Sequence, residues 1–203
     1  DRIVAELPQA CEGRITVRRQ REDCVIAETS IPYPPAGVAG GRLIVSHRER
    51  FVVLSLFSGQ SEEGYELFEL DDGITSVAHV PYQLGEVASF CFSADESILL
   101  MALPLLCAEW WQPWEDGEAV PSDDHHLAFP FGQLRFHHIR TGGSRAHELR
   151  VSVPAGWHPT REEYDPDLHP RFISHRMFAL SMPWGEVELS FPLPDIVTLA
   201  VDS

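Results

Sequence analysis

Residues 87–104 read V-A-S-F-C-F-S-A-D-E-S-I-L-L-M-A-L-P. With G-Q-L-R-F-H-H-I-R-T-G-G at 132–143 and H-E-L-R-V-S-V-P at 147–154, they indicate the fold class. They contain four short runs of β-branched, aromatic and leucine residues, and each run is bounded by turn residues. Ser93-Ala94-Asp95-Glu96 is the first turn, and Thr141-Gly142-Gly143-Ser144 is the last. No long segment of the chain repeats its apolar residues every 3.6 positions, so the stretch predicts antiparallel strands rather than helices.

The same order of turn, strand, strand, glycine turn and strand recurs elsewhere in the chain. Ser46 precedes the run Phe51 to Leu56 by the spacing at which Ser93 precedes Ile98. A second run, Tyr65 to Gly73, matches Leu134 to Gly142 position for position. Successive units close on a proline, at Pro32, Pro81 and Pro154. A repeat of roughly 40 to 50 residues with four short strands is typical of a β-propeller blade.

The pair F-C-F-S-A-D-E-S-I-L-L and Q-L-R-F-H-H-I-R-T-G-G resembles a degenerate blade of the WD-type (WD40-like) β-propeller repeat proteins. About two units share this pattern, and His137-His138 or Phe68-Glu69 stand where the family has its Trp-Asp pair. The resemblance implies four-stranded antiparallel blades in a small or partial propeller, used for protein interaction. A β-sandwich or meander stays open as the alternative, because similar hairpins recur in those folds too.

The unit boundaries follow from this repeat. We predict a single all-β domain over residues 1–203. Within it we expect a half blade at 13–32, a blade at 42–82, a blade at 87–154 with an insertion at 105–131, and a compressed blade at 171–201. Fewer strands are expected than a six-bladed ring needs, so an open sheet edge could also pair with a partner or with a second copy of the chain.

Charge and composition exclude several classes of function. The formal net charge is −16, with 31 acidic residues against 15 basic ones, and no basic stripe suited to nucleic acid is present. The chain contains no lysine, which excludes a Schiff-base lysine and a P-loop lysine. No apolar run approaches the roughly 20 residues that cross a bilayer, so we expect no membrane partner.

The cysteine pattern bears on the compartment. The four cysteines form no C-x-x-C pair, and a reducing cytoplasm is the expected location. Cys24 and Cys91 fall inside strand-like runs, where a thiol is usually a small buried hydrophobe.

The sequence gives little support for a catalytic or a metal site. The metal candidates are His125, His126 and His137, but His137 and His138 are adjacent on a predicted strand and therefore face opposite ways. We predict no cofactor and no native metal site. Carboxylate pairs arise freely in so acidic a chain, and no nucleophile signature such as G-x-S-x-G is present. The enzyme question stays open, with a non-catalytic protein favoured.

The insertion supplies the candidate partner-binding residues. Large aromatic side chains in an insertion either pack against the rest of the protein or stay exposed to bind a partner. Acidic neighbours favour a basic protein partner. These residues are Trp110, Trp111, Trp114, Glu115, Asp116, Asp123 and Asp124. Two other classes stay open. One is a hydrolase or sugar-binding protein that uses the same Trp and carboxylate loop. The other is a bacterial immunity or inhibitor protein that masks a basic partner.

Overall fold

Short apolar runs between turn residues form strands throughout the part of the chain that the structure describes. The computed structural model describes residues 2–6, 14–32, 40–57, 63–82, 88–104, 126–154, 168–182 and 184–201. These ranges contain fifteen strands and no helix, and accordingly no helix long and apolar enough to cross a membrane. The predicted all-β fold class is confirmed, and its small sheets of three to five strands are consistent with a partial propeller.

The chain divides into two compact units, residues 1–85 and 86–203. In unit 1, the first sheet (sheet 1) has the strand order β1-β2-β3 and the second (sheet 2) has the order β4-β5-β6-β7; both are antiparallel meanders. Their strands are β1 Arg2–Glu6, β2 Arg14–Arg21, β3 Cys24–Pro32, β4 Gly40–Val45, β5 Phe51–Phe57, β6 Glu63–Glu69 and β7 Thr75–Tyr82. Strand β1 was not predicted from the sequence, because the predicted half blade began at residue 13.

Unit 2 also contains two sheets. Sheet 3 has five strands: β8 Ser89–Phe92, β9 Ile98–Pro104, β10 His126–His138, β11 Ser144–Pro154 and β15 Ile196–Ala200. Sheet 4 has three: β12 His169–Ser174, β13 Met177–Met182 and β14 Gly185–Ser190. The order in sheet 3 is β15-β11-β10-β9-β8, in which β15 runs parallel to β11 and the other pairs are antiparallel.

The position of β15 corrects the sequence prediction, which placed the last strand in the compressed blade at 171–201. Ile196 pairs instead with Glu148 in sheet 3. Two prolines, Pro192 and Pro194, lie between β14 and β15, where they cannot donate backbone hydrogen bonds and so interrupt the meander of sheet 4. Val197 and Leu199 lie on the same face of β15, and both side chains are buried in the core of unit 2. The prediction of one domain over the whole chain stays a prediction.

In each unit, a hydrophobic cluster of described residues joins the two sheets. In unit 1, Ile15 and Val17 of β2 lie in one buried cluster with Val52 and Leu54 of β5 and with Phe68. In unit 2, buried residues on one face of β9, β10 and β11 lie in one cluster with residues of β13 and β15. The period-2 alternation of apolar residues places these side chains on one face of each sheet.

Strands β5 and β9 differ from the strands of sheets 1 and 4 in how many faces they bury. Residues 51–56 of β5 and 99–104 of β9 are buried at every position, so both faces of these strands are removed from water. Sheets 1 and 4 each carry a polar face instead, on which Arg18 bonds Glu28 and Arg171 bonds Glu186. Burial on both faces explains why β5 and β9 read as continuous apolar runs rather than alternating ones.

One turn in each unit has the same geometry. The Ser46 amide donates to the Phe51 carbonyl at 2.9 Å, and the Ser93 amide donates to the Ile98 carbonyl at the same distance. Each turn also contains a glutamate with positive φ, 55° at Glu49 and 58° at Glu96. The equal serine spacing in the sequence therefore corresponds to equal turn geometry.

Candidate functional site

The predicted partner-binding segment lies outside the described residues. This applies to Trp110, Trp111, Trp114, Glu115, Asp116, Asp123, Asp124 and the metal candidate His125. His126 is the first residue of β10, and only its backbone is described. These assignments stay predictions. The predicted insertion of 105–131 overlaps β10, whose strand pairing already begins at His126.

The structure does show where this segment joins the sheet. β9 ends at Pro104, which pairs with Gly132 of β10. β10 extends further, to His126, and these extra residues pair with β11 up to Pro154. The segment between Pro104 and His126 therefore connects two antiparallel neighbours, at the end of sheet 3 where β10 and β11 reach past β9. We call this the loop end of sheet 3.

A bulge and a glycine fix the geometry of the loop end. The β10–β11 register shifts between Pro130 and Gly132, and Phe131 is fully buried there with its ring 5.0 Å from that of Trp184. A Cβ atom on Gly132 would lie 2.6 Å from the Leu103 carbonyl oxygen. β9 and β10 can therefore approach each other at this point only because residue 132 has no side chain.

The histidine pair and the cysteines can be compared with their predictions. His137 is 4% exposed, and its Nδ1 lies 2.9 Å from the Ser144 hydroxyl. Burial lowers the pKa of His137, and the neighbouring charge of His138 lowers it further. Burial raises the pKa of the Cys91 thiol to about 12. Within the described ranges no three His, Cys, Asp or Glu side chains converge as metal ligands.

The burial prediction for Cys24 is wrong, because this cysteine is exposed. It follows the tight turn Glu22-Asp23, whose φ angles are 49° and 66°. It therefore lies at the tip of the β2–β3 hairpin, away from the core of unit 1.

A buried carboxylate in sheet 2 has two polar neighbours. Glu66 is 6% exposed, accepts a hydrogen bond from the Ser76 hydroxyl and lies 2.8 Å from Nδ1 of His79. The hydroxyl and the imidazole bond different oxygens of one carboxylate, rather than each other. A nucleophilic serine needs its base as a direct hydrogen-bond partner, so this arrangement satisfies a buried charge and does not form a catalytic triad.

The opposite end of sheet 3 holds a cavity of about 470 Å³. On the core face of β10, the apolar residues Leu134 and Phe136 are followed by His138. On the same face of β11, Leu149 is followed towards this end by His147 and Arg145. The face of the sheet thus changes from apolar to basic side chains along its length. We call this the cavity end of sheet 3.

Sheet 4 and the chain after it complete the cavity wall. His175 and Arg176 come from the β12–β13 turn, and Phe191, Pro192 and Leu193 follow β14. The Phe191 amide donates to the Arg176 carbonyl at 2.9 Å, which fixes these two segments against each other.

An aromatic cluster forms the apolar wall. The Phe136 ring stands edge to face with Phe191, 4.9 Å between centroids, and with Phe178 at 5.6 Å. His147 packs against Phe136 in the same way, at 5.6 Å, and its Nδ1 donates to the Pro194 carbonyl at 2.7 Å. Because this bond uses Nδ1, Nε2 is the nitrogen of His147 that stays available to a ligand.

The charge around the cavity is opposite in sign to that of the chain. Its lining includes two arginines and three histidines but no described Asp or Glu, although acids outnumber arginines twofold in the sequence. Arg145 lies 3.1 Å from the exposed carboxylate of Asp195. The sequence reasoning missed this site. The period-2 alternation was the available signal, since it places His138 with Phe136 and places Arg145 with His147 on single faces.

Comparisons with known proteins establish no family. No protein-family model matches the sequence, and no curated protein sequence matches it. The structure is similar to that of the WD40 domain of SCAP from fission yeast, with a TM-score of 0.38 and 11% sequence identity. The match covers 88% of this chain and 44% of that chain, so this chain spans less than half of that structure's length. A similarity at this level does not establish common ancestry or function.

Proposed function

We propose that the protein is a non-catalytic interaction module that binds a basic protein partner through the segment between β9 and β10. The observation that carries this proposal is the projection of β10 and β11 beyond the end of β9. The five residues His126 to Pro130 pair with β11, and no described strand pairs with their other edge. The segment thus begins and ends beside an extended pair of strands.

Composition supports the same surface. The segment carries Trp110, Trp111 and Trp114 within five positions, followed by acidic residues. Tryptophan is enriched among residues that dominate binding energy, and an acidic rim attracts a basic partner at long range. The net charge of −16 extends this attraction to the protein as a whole.

The decisive experiment replaces two tryptophans and measures stability and capture together. For the variant Trp111→Ala/Trp114→Ala, we expect an unchanged Tm and loss of the proteins that wild type retains from native extract. Trp157→Ala is the matched control, because it removes a tryptophan from the other long connection in unit 2. Its captured set should equal that of wild type.

Charge provides a second test of the same proposal. The variant Asp123→Asn/Asp124→Asn should retain less partner at low salt, and the difference should shrink as salt shortens the range of the electrostatic attraction. A Trp111→Ala/Trp114→Ala variant that loses about 3 kcal/mol or more of stability would show that these rings form a packed lid. A stable double variant that captures every wild-type partner would also refute the proposal.

A further inference from the structure

We infer that the cavity end of sheet 3 is a binding site for a small organic monoanion, in which a carboxylate is attached to an aromatic or apolar body. This cavity lies at the end of sheet 3 opposite to the points where the segment between β9 and β10 leaves and rejoins the sheet. The inference does not depend on the function proposed for that segment. The inference rests on three features of the cavity: its charge, its apolar wall and its size.

The first feature is a guanidinium that has no counter-ion among the described residues. Arg176 lines the cavity and is exposed, and its guanidinium makes no ion pair or hydrogen bond with another described residue. Arg145 differs, since Asp195 already neutralises it. The site therefore presents about one uncompensated guanidinium. Guanidinium groups bind carboxylates through two parallel hydrogen bonds, so one free arginine suits one carboxylate.

The histidines favour an anion over a metal ion. His138 and His175 share the cavity lining with Arg176, whose guanidinium would repel a cation bound there. His147 donates from Nδ1 to the Pro194 carbonyl, and this bond holds its ring against Phe136. Imidazole N–H groups on the rim can donate hydrogen bonds to the carboxylate lone pairs that Arg176 does not use.

The second and third features define the rest of the ligand. Phe136 and Phe191 form an edge-to-face pair at 4.9 Å, and Ile98 and Leu193 extend this apolar wall. A ligand body that contacts these side chains gains by leaving water, and an aromatic ring gains further from the tilted ring faces. The volume of about 470 Å³ falls within the range of sites that hold small molecules.

Two kinds of molecule offer a carboxylate together with an aromatic ring. A free aromatic acid offers a carboxylate on a ring, and a protein chain that ends in phenylalanine offers a carboxylate on a residue with an aromatic side chain. Both would place the anion at Arg176 and the ring against Phe136, so the test must contain a probe of each kind.

Isothermal titration calorimetry of the full chain tests the site with two matched pairs of probes. 2-Naphthoate is compared with its neutral amide, and a tripeptide ending in phenylalanine with a free carboxylate is compared with its C-terminal amide. In at least one pair, we expect the acid to bind and the amide to bind at least about tenfold more weakly, because only the acid pairs with a charged group. Tighter binding by naphthoate assigns the site to a free acid, and tighter binding by the tripeptide assigns it to a chain terminus.

Two variants locate the probe. Arg176→Gln should weaken binding of the better acid by at least about tenfold with an unchanged Tm, since the side chain is exposed. Arg171→Gln is the matched control, because Arg171 is an exposed arginine of the same sheet that pairs with Glu186 and does not line the cavity. Equal affinity for acid and amide in both pairs, no binding by any probe, or equal losses in the two variants would each overturn the inference.

Discussion

The two ends of sheet 3 carry opposite chemistry on one set of paired strands. At the loop end, Pro104 pairs with Gly132, and the chain between β9 and β10 is acidic and rich in tryptophan. At the cavity end, Ile98 pairs with His138, and the lining is cationic around phenylalanine rings. Six ladder steps separate these two pairs, which is about 20 Å at roughly 3.3 Å per residue. A rigid sheet can therefore hold two sites of opposite charge apart.

Electrostatic screening limits the influence of the charges at one end on the other end. The distance of about 20 Å is more than twice the Debye length of about 8 Å at physiological ionic strength. Exposed charges at one end therefore contribute little to the potential at the other. The difference between the ends teaches that the negative net charge of a chain does not predict the sign of each of its surfaces.

The largest effect is expected at Gly132, where the loop end depends on a close approach of backbones. Gly132→Ala would place a Cβ 2.6 Å from the Leu103 carbonyl oxygen, and backbone atoms cannot move aside without disturbing the β9–β10 ladder. We expect the free energy of unfolding to fall by about 1–3 kcal/mol, measured by urea denaturation.

Gly143→Ala supplies the control at the cavity end of the same strand pair. Its added Cβ would meet only the Thr141 hydroxyl, at an ordinary contact distance of 3.6 Å. We expect stability within about 0.5 kcal/mol of wild type. Equal losses in the two glycine variants would show that the close contact at Gly132 is not what distinguishes the ends.

A smaller effect is expected at Asp95, in the turn that leads into β9 at the cavity end. Its carboxylate accepts hydrogen bonds from the Ser93 hydroxyl at 2.8 Å and from the amide and hydroxyl of Ser97 at 3.1 and 2.8 Å. These bonds lower the pKa of Asp95 to about 2. Since the group is almost fully exposed, we expect Asp95→Ala to cost only about 1 kcal/mol near neutral pH.

The sign of the pH dependence follows from the lowered pKa. The folded state favours the ionised carboxylate, so the contribution is complete above the unfolded pKa of about 3.9 and is lost as pH falls towards 2. The difference in unfolding midpoint between wild type and Asp95→Ala should therefore shrink between pH 5 and pH 2. A difference that stays constant over this pH range would contradict the argument.

The smallest effect is expected for coupling between the ends. Asp123→Asn/Asp124→Asn removes two negative charges from the segment at the loop end. At physiological salt the affinity for 2-naphthoate at the cavity end should change by less than about twofold, because the segment joins sheet 3 at the other end and salt screens exposed charges beyond about 8 Å. A larger change, measured by the same calorimetric titration, would show that the two ends share one electrostatic field.

Local patterns predicted the strands and the turns but not their distant partners. The apolar runs around Phe51 and Ile98 predicted β5 and β9, and the serine spacing predicted the equivalent turns at Ser46 and Ser93. These features depend on residues within a few positions of one another. The position of β15 depends on a register with β11 across an intervening sheet, and no local signal specifies that pairing.

The cavity shows the same limit for a site. Alternation along β10 and β11 places His138, Arg145 and His147 on one face. The sequence alone does not bring that face together with Arg176, which lies in a turn of another sheet. Composition alone identified the tryptophan segment, because a cluster of large aromatics is visible without any knowledge of long-range pairing.

The parallel pairing of β15 with β11 has a consequence for how the chain folds during synthesis. β8 to β11 can pair with one another as they emerge, but β15 reaches Glu148 only after the whole of sheet 4 has been made. Until then the outer edge of β11 lacks its final partner strand, and such an edge can pair with another nascent chain. Strand β15 therefore joins sheet 3 last and covers the edge of β11 after the other strands have paired.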